Sequence, residues 1–179
     1  MNNLTAGTGT PYWYEWSVGE QQILNMLNED NNINYVELQA NTGLGLDDVV
    51  VTYKDARVLC IQVKHTRVES TLTFADLVCS TERASKSLLA ELADSWQKES
   101  EKYDEVIPQI FTNRRVGRVD SLTRGEVRFR RPALGHFWLE LQKKIETAEK
   151  FKDIKFEEYT EAWEEWKSQL DGIQSDNNK

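Results

Sequence analysis

The stretch LDDVVVTYKDARVLCIQVKHT, residues 46–66, decides how the chain is read. LDDVVVTY (46–53) and RVLCIQVKH (57–65) are runs of strand-forming residues, and only Lys54, Asp55 and Ala56 separate them. Two such runs joined so closely pair as an antiparallel hairpin. Two polar features are out of place in it. An aspartate pair, Asp47 and Asp48, heads one strand, and Gln62 and Lys64 interrupt the end of the other.

Alternation assigns directions to these side chains. Leu59, Ile61 and Val63 make one apolar face, whereas Val58, Cys60, Gln62 and Lys64 make the other. Gln62 and Lys64 therefore share a side, with Cα atoms about 7 Å apart, close enough for both to reach one ligand. The preceding strand divides into Asp47, Val49, Val51 and Tyr53 on one face and Asp48, Val50 and Thr52 on the other. Asp47 heads the more apolar set, so Asp48 is the preferred site carboxylate and Asp47 the alternative. A carboxylate, an amide oxygen and a lysine on adjacent strands suit hydrolysis of a phosphodiester. Hard oxygen ligands hold Mg²⁺, which keeps several waters for nucleophile and substrate. The lysine orients the attacking water or offsets charge developing on the phosphate. The bland alternatives are aspartates that close a turn and a lysine that protects a strand end.

Outward from the hairpin, Ser17-x-x-Glu20 opens a first helix in which Ile23, Leu24 and Leu27 follow at helical spacing. Glu20 is a further candidate ligand, facing inward with Ile23 and Leu24; a capping role alone is its alternative. INYVELQ (33–39) reads as a strand and NTGLG (41–45) as a turn. Leu77, Ala84, Leu88, Leu92 and Trp96 predict one long amphipathic helix over Phe74–Glu99. EVIPQIFTN (105–113) is a fourth strand in which Pro108 implies an edge position or a bulge. A helix is expected near Leu134–Ile145, and Tyr159, Trp163, Trp166 and Leu170 form one packing stripe on another. This order predicts an α/β layered domain, with helices flanking a small mixed sheet. The expected organisation is a lead over 1–15, a catalytic domain over 16–145, and a C-terminal helix and linker over 146–179.

The 179 residues carry a formal net charge of −8, so the chain as a whole is no basic nucleic-acid binder. The charge is uneven. Seven arginines, at 114, 115, 118, 124, 128, 130 and 131, stand against Asp120 and Glu126 alone between residues 114 and 131. Such a patch suits a phosphate backbone, with Arg114, Arg115, Arg118 and Arg128 as candidate contacts. Its alternative is a solvated loop, or ion pairs to the acidic segment 146–171. Two cysteines, Cys60 and Cys79, match neither a disulfide framework nor a zinc spacing. With neither a signal peptide nor an apolar span in view, a cytoplasmic protein with no membrane partner is expected. His65 and His136 read as structural.

Asp48 after a Gly-rich turn, the tripeptide Gln62-Val63-Lys64 and Glu20 on the first helix together resemble the PD-(D/E)xK superfamily of restriction-endonuclease-like nucleases, in its Mrr-like branch, where Q-x-K replaces E-x-K. LTFADL (72–77) and FTNR (111–114) are similar to segments of the N-terminal nuclease domains of bacterial antiphage proteins. The resemblance covers residues 15–115 best. It implies a core of helix, three-stranded meander, long helix and fourth strand, with a C-terminal helical extension. It also implies a Mg²⁺-dependent endonuclease (Mn²⁺ substituting) that cuts double-stranded DNA with low sequence specificity. Asp48, Gln62 and Glu20 would hold the metal, with possible help from the Val63 carbonyl, and Lys64 would act on the water. In such proteins a C-terminal STAND-type ATPase or sensor region follows, and self-association through it activates the nuclease. Gln62 departs from the usual acid, and an amide is a weaker Mg²⁺ ligand. The alternative is a non-catalytic nucleic-acid-binding or assembly module on a degenerate nuclease fold.

Overall fold

A computed structural model of the chain describes residues 9–40, 45–81, 84–122 and 130–171. Along it run α1 (Gly9–Asn25), β1 (Ile33–Leu38), β2 (Val49–Tyr53), β3 (Arg57–Lys64), β4 (Thr71–Leu72), α2 (Phe74–Val78), β5 (Ser80–Thr81), β6 (Ala84–Ser87), α3 (Leu88–Ser100), β7 (Glu105–Thr112), β8 (Arg115–Val116), β9 (Ser121–Leu122), β10 (Arg130–Arg131), α4 (Leu134–Thr147) and α5 (Thr160–Ser168). This is a mixed α/β architecture. It divides into two units, one drawn from residues 1–69 and 91–113, the other from 70–90 and 114–179.

The first unit is built on a four-stranded mixed sheet in the order β1-β2-β3-β7. The hairpin forms as its short connection requires, with Val50 opposite Cys60 and Thr52 opposite Val58. Its turn is held by Asp55, whose carboxylate accepts from the Arg57 backbone N–H at 3.3 Å and from Arg57 Nε at 2.9 Å. Ala56 occupies the left-handed region at φ 65, where a Cβ costs about 1 kcal/mol. Ala56→Gly is therefore expected to stabilise the protein by about 0.5 kcal/mol, less than that full cost because glycine also frees the unfolded chain. Chemical denaturation reads the difference. β3 pairs in parallel with β7, from Arg57 opposite Glu105 to Lys64 opposite Thr112. β7 is a sheet edge, so Pro108 gives up no ladder bond on its open side, as its place in the sequence implies.

One sheet face meets α1. Val49, Val51, Ile61 and Val63 are buried there with Val18, and Tyr14, Leu38 and Phe111 close the cluster. The helix begins eight residues before Ser17, which is therefore not a cap; its hydroxyl donates to the Trp13 carbonyl at 2.8 Å. The packing face is correspondingly Tyr14, Val18 and Gly19, while Ile23, Leu24 and Leu27 are exposed rather than inward. Gly19 permits the close approach, since a Cβ there would fall 2.0 Å from Leu38 Cδ2. The other face meets the part of α3 that carries Leu92, Ala93, Ser95 and Glu99, all buried. Cys60 lies on that side. Burial, and then the nearby Glu99 carboxylate, push its thiol up to about 12, which makes it an inert packing group.

The helix expected over Phe74–Glu99 is two helices. α2 ends at Val78, Cys79 is extended, and the β5–β6 hairpin intervenes before α3 starts at Leu88. The interrupting segment, CSTERASKS (79–87), is dominated by serine and threonine, which compete with helical hydrogen bonding. The apolar spacing from Leu77 through Leu88 runs across that break without meaning a continuous helix.

The second unit has an aromatic core. Phe74, Phe137, Trp163 and Trp166 are buried, and the Phe137 ring lies 5.0 Å from Phe74, 4.9 Å from Phe156 and 5.1 Å from Trp166, centroid to centroid. Trp163 and Trp166 thus serve the packing role expected of their stripe. Tyr159, ahead of α5, instead donates its hydroxyl to Asp120 at 2.6 Å. LTFADL and FTNR, far apart in sequence, meet. β4 pairs in parallel with β8, and Arg114 Nη2 binds Asp76 Oδ2 at 2.8 Å and the Thr71 carbonyl. Asp76 also closes a capping box with Thr73 at the start of α2. Burial opposes the ionised form of Asp76, but the Thr73 bonds and the Arg114 charge outweigh it and hold the carboxyl below its ordinary value. Arg114→Ala is expected to cost about 1–3 kcal/mol by leaving that anion underpaired. The loss should appear above the ordinary aspartate range and shrink as acid protonates Asp76. Among the described residues, no helix is long and apolar enough to cross a membrane.

Candidate functional site

The site lies where β2 begins and β3 ends. Two backbone bonds, from Gln39 N–H to the Asp48 carbonyl at 2.9 Å and from Ala40 N–H to the Asp47 carbonyl at 2.8 Å, extend the β1–β2 ladder over the aspartate pair. The backbone of Asp47 and Asp48 is therefore fixed by sheet bonds and not by a loose turn. The β2–β3 register then carries Asp48 to the neighbourhood of Gln62, fourteen residues on. Asp48 Oδ2 accepts from Gln62 Nε2 and, at 2.6 Å, from the Val63 backbone N–H. The Val63 group engaged is its N–H. Its carbonyl, considered from the resemblance, makes no hydrogen bond to these side chains among the described residues.

Gln62 is buried and Asp48, Asp47 and Lys64 are half-buried. Burial pushes the Asp48 carboxyl above its ordinary value, and the Val63 N–H, the Lys64 charge and the Gln62 amide only partly offset this. Asp47 is raised too, by burial and then by Asp48. Lys64 lowers both, so its ammonium acts on the same small region as the two acids.

A third acid shares that field, and it is not Glu20. Glu15 accepts from Gln39 Nε2 at 3.3 Å, and its carboxyl is raised by burial, then lowered by Gln39, with further contributions from Asp48, Lys64 and Asp47. Glu20 is exposed. The two glutamates are five residues apart on α1, about 140° around the helix, so they cannot both face the sheet end. Glu15 sits beside Tyr14, the residue that packs inward, and Pro11 was the available signal for a helix beginning this early. Gln39, at φ 50, is held in a left-handed conformation as it bridges the site and α1.

His65 stays outside this group. Its ring lies 4.5 Å from that of Tyr14, on the α1 side. Of the arginines, Arg114 pairs with Asp76, Arg130 with Asp120 at 3.1 Å, and Arg131 with Glu165 at 2.8 Å. These three are engaged within the second unit, Arg131 with the acidic C-terminal segment as the alternative reading allowed. Arg115 and Arg118 are exposed. Arg124 and Arg128 lie outside the described residues.

Among the described residues, no three His, Cys, Asp or Glu side chains form a ready cation cage. What is present is a group of oxygen acceptors, Asp48, the Gln62 amide oxygen and Glu15, beside the Lys64 ammonium. That donor set suits a hard cation such as Mg²⁺, which takes one or two carboxylates and keeps its waters, and does not suit zinc or copper. No protein family, curated protein or solved structure matches the chain.

Proposed function

We propose that this chain is a Mg²⁺-dependent endonuclease domain with a restriction-endonuclease-like core, which cleaves double-stranded DNA with little sequence preference. The observation that supports this most is the joining of Asp48 to the Gln62-Val63-Lys64 strand end, through the Gln62 amide and the Val63 N–H, with Lys64 two residues on and on the same side. Asp48 and Gln62 Oε1 would hold the cation, with Glu15 in place of Glu20 as the helix acid. When bound, the cation would lower the pKa of a coordinated water and neutralise phosphate charge. Lys64 would direct its ammonium toward a phosphate oxygen or the attacking water, and Asp48, which accepts two hydrogen bonds, would keep its carboxylate in one orientation. Arg115 and Arg118, both exposed, are the candidate phosphate contacts that the described residues retain. The resemblance extends the proposal to antiphage defence, with activation by assembly through a C-terminal ATPase or sensor region.

Two observations favour a second reading. Gln62 stands where an acid would bind metal more tightly, and three of the arginines are spent on internal ion pairs, as in a non-catalytic assembly module. Supercoiled plasmid incubated with the protein, in Mg²⁺ or in EDTA and at low and high protein concentration, separates the two. The nuclease reading expects nicked and linear products in Mg²⁺ only, rising with concentration. Plasmid left intact even when the chains are held together by forced dimerisation would favour the assembly module.

A further inference from the structure

We infer that Glu91, in the first turn of α3, is a further acidic ligand of the cation site, in the part that the Gln62 amide fills only weakly; this rests on the metal-dependent reading above. Gln62 is only 6% exposed, and although its Nε2 is used on Asp48, its Oε1 receives no hydrogen bond among the described residues. That oxygen borders Gly45. A Cβ placed on Gly45 would lie 3.5 Å from Gln62 Oε1, 3.5 Å from Glu91 Cβ and 3.8 Å from Glu91 Oε2. The amide oxygen and the Glu91 carboxylate thus border the same point, and a glycine leaves that point open.

The Glu91 side chain has no ion pair or hydrogen-bond donor among the described residues; only its backbone carbonyl is engaged, by Ser95 Oγ at 2.7 Å. Two oxygen acceptors that border one half-buried point with no donor between them are mutually unfavourable. A divalent cation converts that repulsion into coordination, and oxygen ligands of this kind are what Mg²⁺ and Mn²⁺ take. Asp48, tied to the same amide through Gln62 Nε2, adds a second carboxylate on this side of the site, so that β2, β3 and α3 supply its ligands besides Glu15 from α1. The ligands then stand on regular elements, which hold them more closely than loops would. Sequence alone hides the arrangement, because Glu91 is separated from Lys64 by the whole of the α2 and β5–β6 segment.

Mn²⁺ binding, followed by the electron paramagnetic resonance signal of the free ion, tests this without reliance on cleavage. The wild-type protein should bind Mn²⁺, Glu91→Gln should weaken binding about tenfold or more, and Gln62→Glu in the Glu91→Gln background should restore most of the loss. Should Glu91→Gln fail to fold, Gly45→Ala carries the test, because its methyl meets only ordinary van der Waals contacts yet occupies the shared point. Wild-type affinity in the folded Glu91→Gln protein, or in Gly45→Ala where that variant carries the test, would overturn the role of Glu91 and leave the nuclease reading standing. Loss of Mn²⁺ in Glu91→Gln, in a protein that never cuts plasmid, would support the cation site and overturn the nuclease. No Mn²⁺ binding by the wild-type protein would overturn both.

Discussion

Lys64→Ala is expected to reduce Mg²⁺-dependent plasmid cleavage by about 10²–10³-fold while leaving the fold intact, the scale seen when one preorganised group that meets developing charge is removed. The side chain is half-buried at the last residue of β3 and forms no ion pair among the described residues, so its loss opens no core cavity. Circular dichroism and the melting temperature should therefore match the wild type. A second readout follows from the electrostatics. Lys64 holds down the carboxyl pKa values of Asp48, Asp47 and Glu15, so all three should titrate at higher pH in Lys64→Ala. Carbon-detected nuclear magnetic resonance titration of the side-chain carboxyls measures this. A Lys64 whose charge lay away from this group would shift none of them.

Asp48→Asn carries the second large effect, and in two opposite senses. Loss of the charged ligand should reduce cleavage by about 10³-fold or more, equivalent to roughly 4 kcal/mol of transition-state stabilisation. Stability should move the other way. Burial, the largest influence on the Asp48 carboxyl, raises it above its ordinary value in the folded protein. The folded state then binds that proton more tightly than the unfolded chain, so the ionised group opposes folding at neutral pH, and the opposition is relieved as pH falls through the folded-state value. Asparagine keeps an acceptor for the Val63 N–H and carries no charge. The variant should melt above the wild type at pH 7 in EDTA, and this advantage should fade as acid protonates Asp48. A lower melting temperature at every pH would mean that Asp48 is a structural anion and not one kept at a cost to stability for its function.

The hairpin was legible because strand alternation and a three-residue connection leave little choice of register. A one-residue slip would turn Val49, Val51, Ile61 and Val63 out of the core, so the same pattern that shows the strands also brings Asp48 to Gln62. Pro108 placed its strand at an edge for an equally local reason. The start of α1 was not legible in the same way. GTGTPYWYEW (7–16) opens with residues of low helix propensity, and the periodic signal from Ser17 onward overrode Pro11, which a first helical turn tolerates. Misplacing that start moved the inward acid from Glu15 to Glu20. The break between α2 and α3 was masked by apolar spacing that a helix would also satisfy. The arginines were unreadable for a different reason: Asp76, Asp120 and Glu165 are distant in sequence, and only the fold shows that Arg114, Arg130 and Arg131 belong to them.

The measurement that bears most directly on the central claim is the initial rate of supercoiled-plasmid nicking by wild-type protein and by Lys64→Ala, purified in parallel and assayed with Mg²⁺ and with EDTA. The wild type should nick in Mg²⁺ alone, and the variant should fall to the EDTA baseline while keeping the wild-type melting temperature. Equal Mg²⁺-dependent nicking by the two proteins would contradict the assignment of this strand end as the site of cleavage.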